Sequence, residues 1–243
     1  MGLYYVSIVR IIFCVLLFFV LQPKTPREYF GKKYEEAIKF YRRNMSRINH
    51  MLNETMVDKE LVLSIIFPEL IRYSMWKDML ETKANELLYI REGNQGAFFS
   101  IGRFQIKPTF VEKLENYIGS DSLLKKEFGR ILSFESSNIK DIRRERIARL
   151  KNYQWQVYYV AAFTKVVETR FGFVKSFPMK EKIQFFSSAY NHDFMCDLAE
   201  VVRWIHVKSF PYGMKYSNPF SYAEVALFFY QNDFSSFSRK LRE

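Results

Sequence analysis

The first feature of this chain that suggests chemistry is a carboxylate at the end of an apolar run. Leu61-Val62-Leu63-Ser64-Ile65-Ile66-Phe67 leads directly into Pro68-Glu69. An ionised carboxylate behind an apolar wall is unfavourable without a partner, so burial there raises its pKa. A general acid working near neutral pH needs such a shift. At helical spacing Glu69 shares a face with Leu61, Ile65, Arg72 and Tyr73. A plainer reading stands beside this one. If Pro68 restarts a helix, Glu69 becomes a second-position carboxylate, and the helix dipole lowers its pKa.

Two further stretches carry polar groups suited to a sugar. In Gly102-Arg103-Phe104-Gln105-Ile106-Lys107-Pro108, Gly102 permits close backbone approach and Gln105 offers both a donor and an acceptor. In Ala189-Tyr190-Asn191, a phenol and an amide fall at a predicted helix end, behind apolar Ile183, Phe185 and Phe186. Neutral amides match the hydroxyl and acetamido groups of amino sugars. Taken singly, the first is also an ordinary hairpin-to-helix junction, and the second a helix ended by Asn in a left-handed turn. A hydrolase of the two-carboxylate type needs a partner across the bond. Asp78, Glu81 and Glu92 are the candidates, and surface acids on a helix are the alternative.

Taken in order, Pro68-Glu69, Gly102-x-Phe104-Gln105-Ile106-x-Pro108 and Ala189-Tyr190-Asn191 resemble the signatures of lytic transglycosylases related to goose-type lysozyme. That family carries Glu-Ser, Gly-Leu-Met-Gln-x-x-Pro and Ala-Tyr-Asn-Ala-Gly, and the similarity spans roughly residues 55–195. The resemblance implies a mostly α, lysozyme-like domain with a small β-hairpin beside a cleft for peptidoglycan glycan strands. It implies that Glu69 is the single acid/base cleaving the MurNAc-β-1,4-GlcNAc bond, and that products end in 1,6-anhydromuramic acid. Gln105, Tyr190 and Asn191 would hold the sugar, with Gly102, Arg103 and Phe104 beside them. The chain departs from the pattern at Leu70, where Ser is usual, at Arg103-Phe104 in place of Leu-Met, and at His192-Asp193 in place of Ala-Gly.

The elements that must position these groups are mainly helical. The 243 residues are 49% apolar and 18% aromatic with only 9 Gly and 7 Pro, which suits a compact helical body and excludes disorder. Residues 23–57 read as a Pro23–Pro26 linker and an amphipathic helix from Tyr29 to Asn53, and residues 58–243 as the catalytic domain with a C-terminal helical extension. Asp58 is placed to cap the helix that carries the apolar run. Gly93-Asn94-Gln95-Gly96 signals a turn, the alternation over 97–106 predicts a hairpin, and Pro108 opens another helix. Ile139 to Phe171 has no Gly or Pro and predicts one long helix.

Net charge is +11, and removing residues 1–22, with Arg10, leaves +10. The partner is therefore expected to be acidic: a wall polymer, an anionic membrane face or nucleic acid. The run Lys125–Lys151, with nine Lys/Arg and four acids, is what a basic nucleic-acid binder would use, or else a solvated helix face. Residues 3–21 are apolar except for Ser7 and Arg10, which predicts an export signal or an uncleaved membrane anchor. The expected location is then the periplasm, or the membrane facing the wall. His50, His192 and His206 are too scattered for a zinc site, and no phosphate loop or dinucleotide fingerprint is present, so neither metal nor cofactor is expected. A glycan-binding module of the same shape without turnover is the alternative from another functional class.

Overall fold

A computed structural model describes residues 24–76, 83–93, 99–212 and 219–236. Eleven α-helices lie among them. The first five are α1 (Pro26–Phe30), α2 (Lys32–Asn53), α3 (Lys59–Trp76), α4 (Lys83–Glu92) and α5 (Pro108–Ser120). The remainder are α6 (Ser122–Phe128), α7 (Ile139–Lys151), α8 (Tyr153–Arg170), α9 (Met179–Asn191), α10 (Leu198–Trp204) and α11 (Tyr222–Phe229).

Helix α3 is the axis of the fold. Its apolar run is buried on every side, because α2, α9 and α11 all pack against it. It starts where Asp58 accepts hydrogen bonds from the amides of Glu60 and Leu61, at 3.0 and 3.3 Å. Pro68 does not restart the helix; α3 runs through it. A proline inside a helix removes one donor and crowds the carbonyl four residues earlier, here that of Ser64. Two tyrosines brace the carbonyls on either side of that position. Tyr41 on α2 donates to the Leu63 carbonyl, and Tyr222 on α11 donates to the Ile65 carbonyl at 2.9 Å. The reading of Glu69 as a first-turn carboxylate therefore does not hold, since ten residues of helix precede it.

The amphipathic stripe of α2 (Tyr34, Ala37, Ile38, Tyr41, Met45, Ile48, Leu52) enters the same core as α3. The C-terminal end is tied back to this helix. Tyr34 and Arg27 both donate to Asp233, in the π-helical turn that follows α11.

Two expectations are corrected. The hairpin beside the cleft is instead a tight turn closed by one antiparallel bridge, Ile101 with Ile106, and the described residues contain no sheet. A hairpin would present alternate faces, but Phe99, Ile101, Phe104, Gln105 and Ile106 are all buried. Positive φ at Gly102 (72°) and Gln105 (49°) curls the chain instead. The predicted helix from Ile139 to Phe171 is two helices broken at Asn152, whose backbone is extended and whose side chain accepts from the amide of Gln154. An Asn that caps the next helix competes with helix continuation. The predicted turn at Gly93–Gly96 lies largely outside the described residues, as does the apolar segment 3–21. Among the described residues no helix is long and apolar enough to cross a membrane.

Candidate functional site

Glu69, Gln105, Tyr190 and Asn191 line one cleft of about 220 Å³, together with Arg72, Lys107, Phe110, Lys113 and Asp193. Four separate pieces of the chain meet there. Helix α3 supplies Glu69 and Arg72, the turn at 101–106 supplies Gln105, α5 with the residue before it supplies Phe110 and the lysines, and the end of α9 with the residues just after it supplies Tyr190, Asn191 and Asp193.

Glu69 is 3% exposed and lies at the base of the cleft. Burial pushes its carboxyl above the usual carboxylate range, against the opposing pull of Arg72, Tyr222 and Lys107. Arg72, one turn further along α3, donates from Nη1 to both carboxylate oxygens, at 2.9 and 3.1 Å. Its Nη2 reaches the Asn191 side-chain oxygen at 3.4 Å. The guanidinium also lies over the rings of Phe210 and Tyr222.

The turn that carries Gln105 is pegged from α8. Buried Gln156 accepts from the Phe104 amide at 2.7 Å and donates to the Leu150 carbonyl. That carbonyl is available only because the helix breaks at Asn152; in a continuous helix it would bond the amide of residue 154. Gly102 lies so close to this peg that a Cβ there would fall 1.8 Å from Gln156 Nε2. Gln105 folds its amide nitrogen back onto the Gly102 carbonyl at 2.6 Å. Tyr190 donates to the Phe104 carbonyl at 2.9 Å, so its hydroxyl holds the turn. Burial, followed by the nearby Glu69 carboxylate, pushes that phenol well above its ordinary pKa.

The other sequence candidates fall elsewhere. Phe104 is fully buried in the core, and Gly102 is backbone support for the turn. Arg103 points away from the cleft into a separate groove, over the rings of Tyr73 at 4.4 Å and Phe40 at 5.4 Å. Glu92 is an exposed residue paired with Arg91 and does not line the cleft. Asp78 and Glu81 lie outside the described residues. The second carboxylate of the cleft is Asp193, which pairs with Lys113 and caps the amide of Met195 at 2.9 Å.

No family model matches the chain, and no curated protein or solved structure matches it.

Sequence reasoning missed Gln156, Lys107, Lys113 and Asp193 as contributors. Gln156 carries one usable signal, a lone amide among the apolar positions of its helix. The lysines carry none, because their charges resemble every other surface cation. Four of the nine cations in the basic run from Lys125 to Lys151 are ion-paired within the fold. Arg146 is buried and bonds Glu115, Glu112 and Tyr89, while Arg149 bonds Glu145 and the Ile131 carbonyl. Arg144 pairs with Asp141, Lys151 pairs with Glu86, and Arg143 donates to the Ile90 carbonyl.

Proposed function

We propose that this chain is an exported, peptidoglycan-cleaving muramidase of the lytic-transglycosylase type, with a lysozyme-like arrangement of helices around Glu69. The observation that carries the reading is the convergence of Glu69, Gln105 and Asn191 on one polar cleft, with the Glu69 carboxyl buried at its base and held above the ordinary carboxylate pKa. Protonated Glu69 donates to the leaving glycosidic oxygen. The resulting carboxylate takes the proton of the muramyl C6 hydroxyl as that oxygen attacks C1. The products are a free GlcNAc 4-hydroxyl and a 1,6-anhydromuramyl end. Without a ligand, Arg72 stands beside this carboxylate. The side-chain oxygen of Gln105, without a hydrogen-bond partner among the described residues, and the amide nitrogen of Asn191 suit an acetamido group.

A cleft of about 220 Å³ is small beside the ~300–1,000 Å³ common for drug-sized ligands, so one sugar ring at a time would reach Glu69. Purified full-length chain should release muropeptides with 1,6-anhydro ends from isolated sacculi, and Glu69→Gln should abolish release while leaving the fold intact. Mass spectrometry of the ends decides the chemistry: reducing ends alone would refute the transglycosylase step.

The grip of Arg72 on Glu69 favours a second reading, a glycan-binding module without turnover. In that case sacculi bind wild type and Glu69→Gln alike, and neither releases fragments.

A further inference from the structure

Arg72 holds Glu69 in an unusual way. A guanidinium meets a carboxylate best with two nitrogens against two oxygens. Here a single nitrogen, Nη1, serves both oxygens of Glu69. Nη2 has one long contact, 3.4 Å to Asn191, and Nε is buried without a hydrogen-bond partner among the described residues. Of the edge of the fork formed by Nε and Nη2, one donor is thus unpaired and the other only weakly bonded, at a residue that lines the cleft. A buried donor in this state gains strongly from an acceptor of the right geometry.

The charges around it point the same way. Lys113 is matched by Asp193, whereas Lys107 makes no ion pair among the described residues. By formal charge, Arg72, Lys107 and Lys113 against Glu69 and Asp193 leave the cleft one positive charge in excess; His192 and Tyr190 also line it, and Tyr222 lies next to Glu69.

We infer that the cleft takes a sugar bearing a free carboxylate, and that this carboxylate draws Arg72 away from Glu69 as it binds. The inference rests on the muramidase reading for the identity of the sugar. In peptidoglycan a free carboxylate is found on the muramyl lactyl group once an amidase has stripped the stem peptide, or on the stem peptide itself. Losing Arg72 removes the main cation that favours ionised Glu69, so the carboxyl takes up a proton when the ligand arrives. Arg72 is then a positioning residue that keeps the acid idle until the ligand binds.

The test is calorimetric, with full-length chain in detergent and three probes: N-acetylmuramic acid, its methyl ester and N-acetylglucosamine. N-Acetylmuramic acid should bind about tenfold more tightly than either neutral probe, with proton uptake revealed by repeating the titration in buffers of different ionisation enthalpy. Arg72→Gln should erase the preference. Glu69→Gln should keep or increase it, since Arg72 loses its competitor, and should abolish proton uptake. Equal affinities for the three probes, absence of proton uptake by wild type, or loss of the preference in Glu69→Gln would each overturn the inference. N-Acetylmuramyl dipeptide binding as tightly as the free acid assigns the carboxylate to the stem peptide; weaker binding assigns it to the lactyl group. Carboxylate preference without release from sacculi leaves this inference standing and removes the catalytic reading, whereas release without preference does the reverse.

Discussion

Replacing Gly102 with alanine puts a methyl group where the fold has no room for one. Gly102 has φ of 72°, and the new Cβ would meet Gln156 Nε2 at 1.8 Å and the Leu150 carbonyl at 2.7 Å. The carbonyl belongs to the backbone and cannot move aside, so the Gln156 carboxamide has to leave. Its departure strands the Phe104 amide and the Leu150 carbonyl, both partnered by Gln156 alone among the hydrogen bonds described above. The left-handed backbone costs alanine about 1–2 kcal/mol, and each buried group left unpaired costs about 1–3 kcal/mol. The sum is about 3–5 kcal/mol if the turn relaxes in part, a large share of the ~5–15 kcal/mol that stabilises a typical fold. For a chain of this size, a melting point lower by roughly 6–20 °C follows. Thermal unfolding followed by circular dichroism measures it, with Gly129→Ala as the control, because a Cβ at Gly129 meets nothing within 4 Å. In a Gln156→Ala background the same glycine replacement should cost less than in the wild type, because the side-chain clash is gone and only the left-handed backbone, about 1–2 kcal/mol, and the contact with the Leu150 carbonyl remain. Gly102→Ala melting within a degree or two of the control would refute the close-packed peg and the site geometry built on it.

Two further outcomes follow from buried charge. Arg146→Met leaves Glu115 buried without its partner and should lose about 3–5 kcal/mol in urea unfolding, most of it regained in the Arg146→Met, Glu115→Leu pair. A double variant no more stable than the single one would sink that account. The pH dependence of muropeptide release reports on Glu69. A general acid must be protonated, and burial raises this carboxyl, so kcat/KM should fall as pH rises through a value above the ordinary carboxylate range. The same sign applies to stability: whatever the neutral carboxyl contributes is present at low pH and lost as pH rises through that raised value. A rate that climbs across this window would show that the ionised form is the working one.

Much of this protein was legible in residue order alone. The helix bearing Leu61–Phe67, its Asp58 cap, the amphipathic face of α2 and the opening of α5 at Pro108 follow from local rules, because propensity, capping and period act within a few residues. So did the candidacy of Glu69, since an acid closing an apolar run demands a reason wherever it occurs. What tertiary structure decided depends on groups far apart in the chain. Pro68 stays inside a helix whose neighbouring carbonyls, Leu63 and Ile65, are reached by tyrosines from α2 and α11, and neither tyrosine lies within twenty residues of it. The break at Asn152 frees a carbonyl for Gln156, which turns an expected hairpin into a pegged turn. The engagement of Glu69 by Arg72 was open to sequence as a shared helical face. That this pair lies buried beside Asn191 and a lysine-rimmed cleft was not, because burial and field are properties of the packed chain, summed over neighbours that sequence order does not reveal.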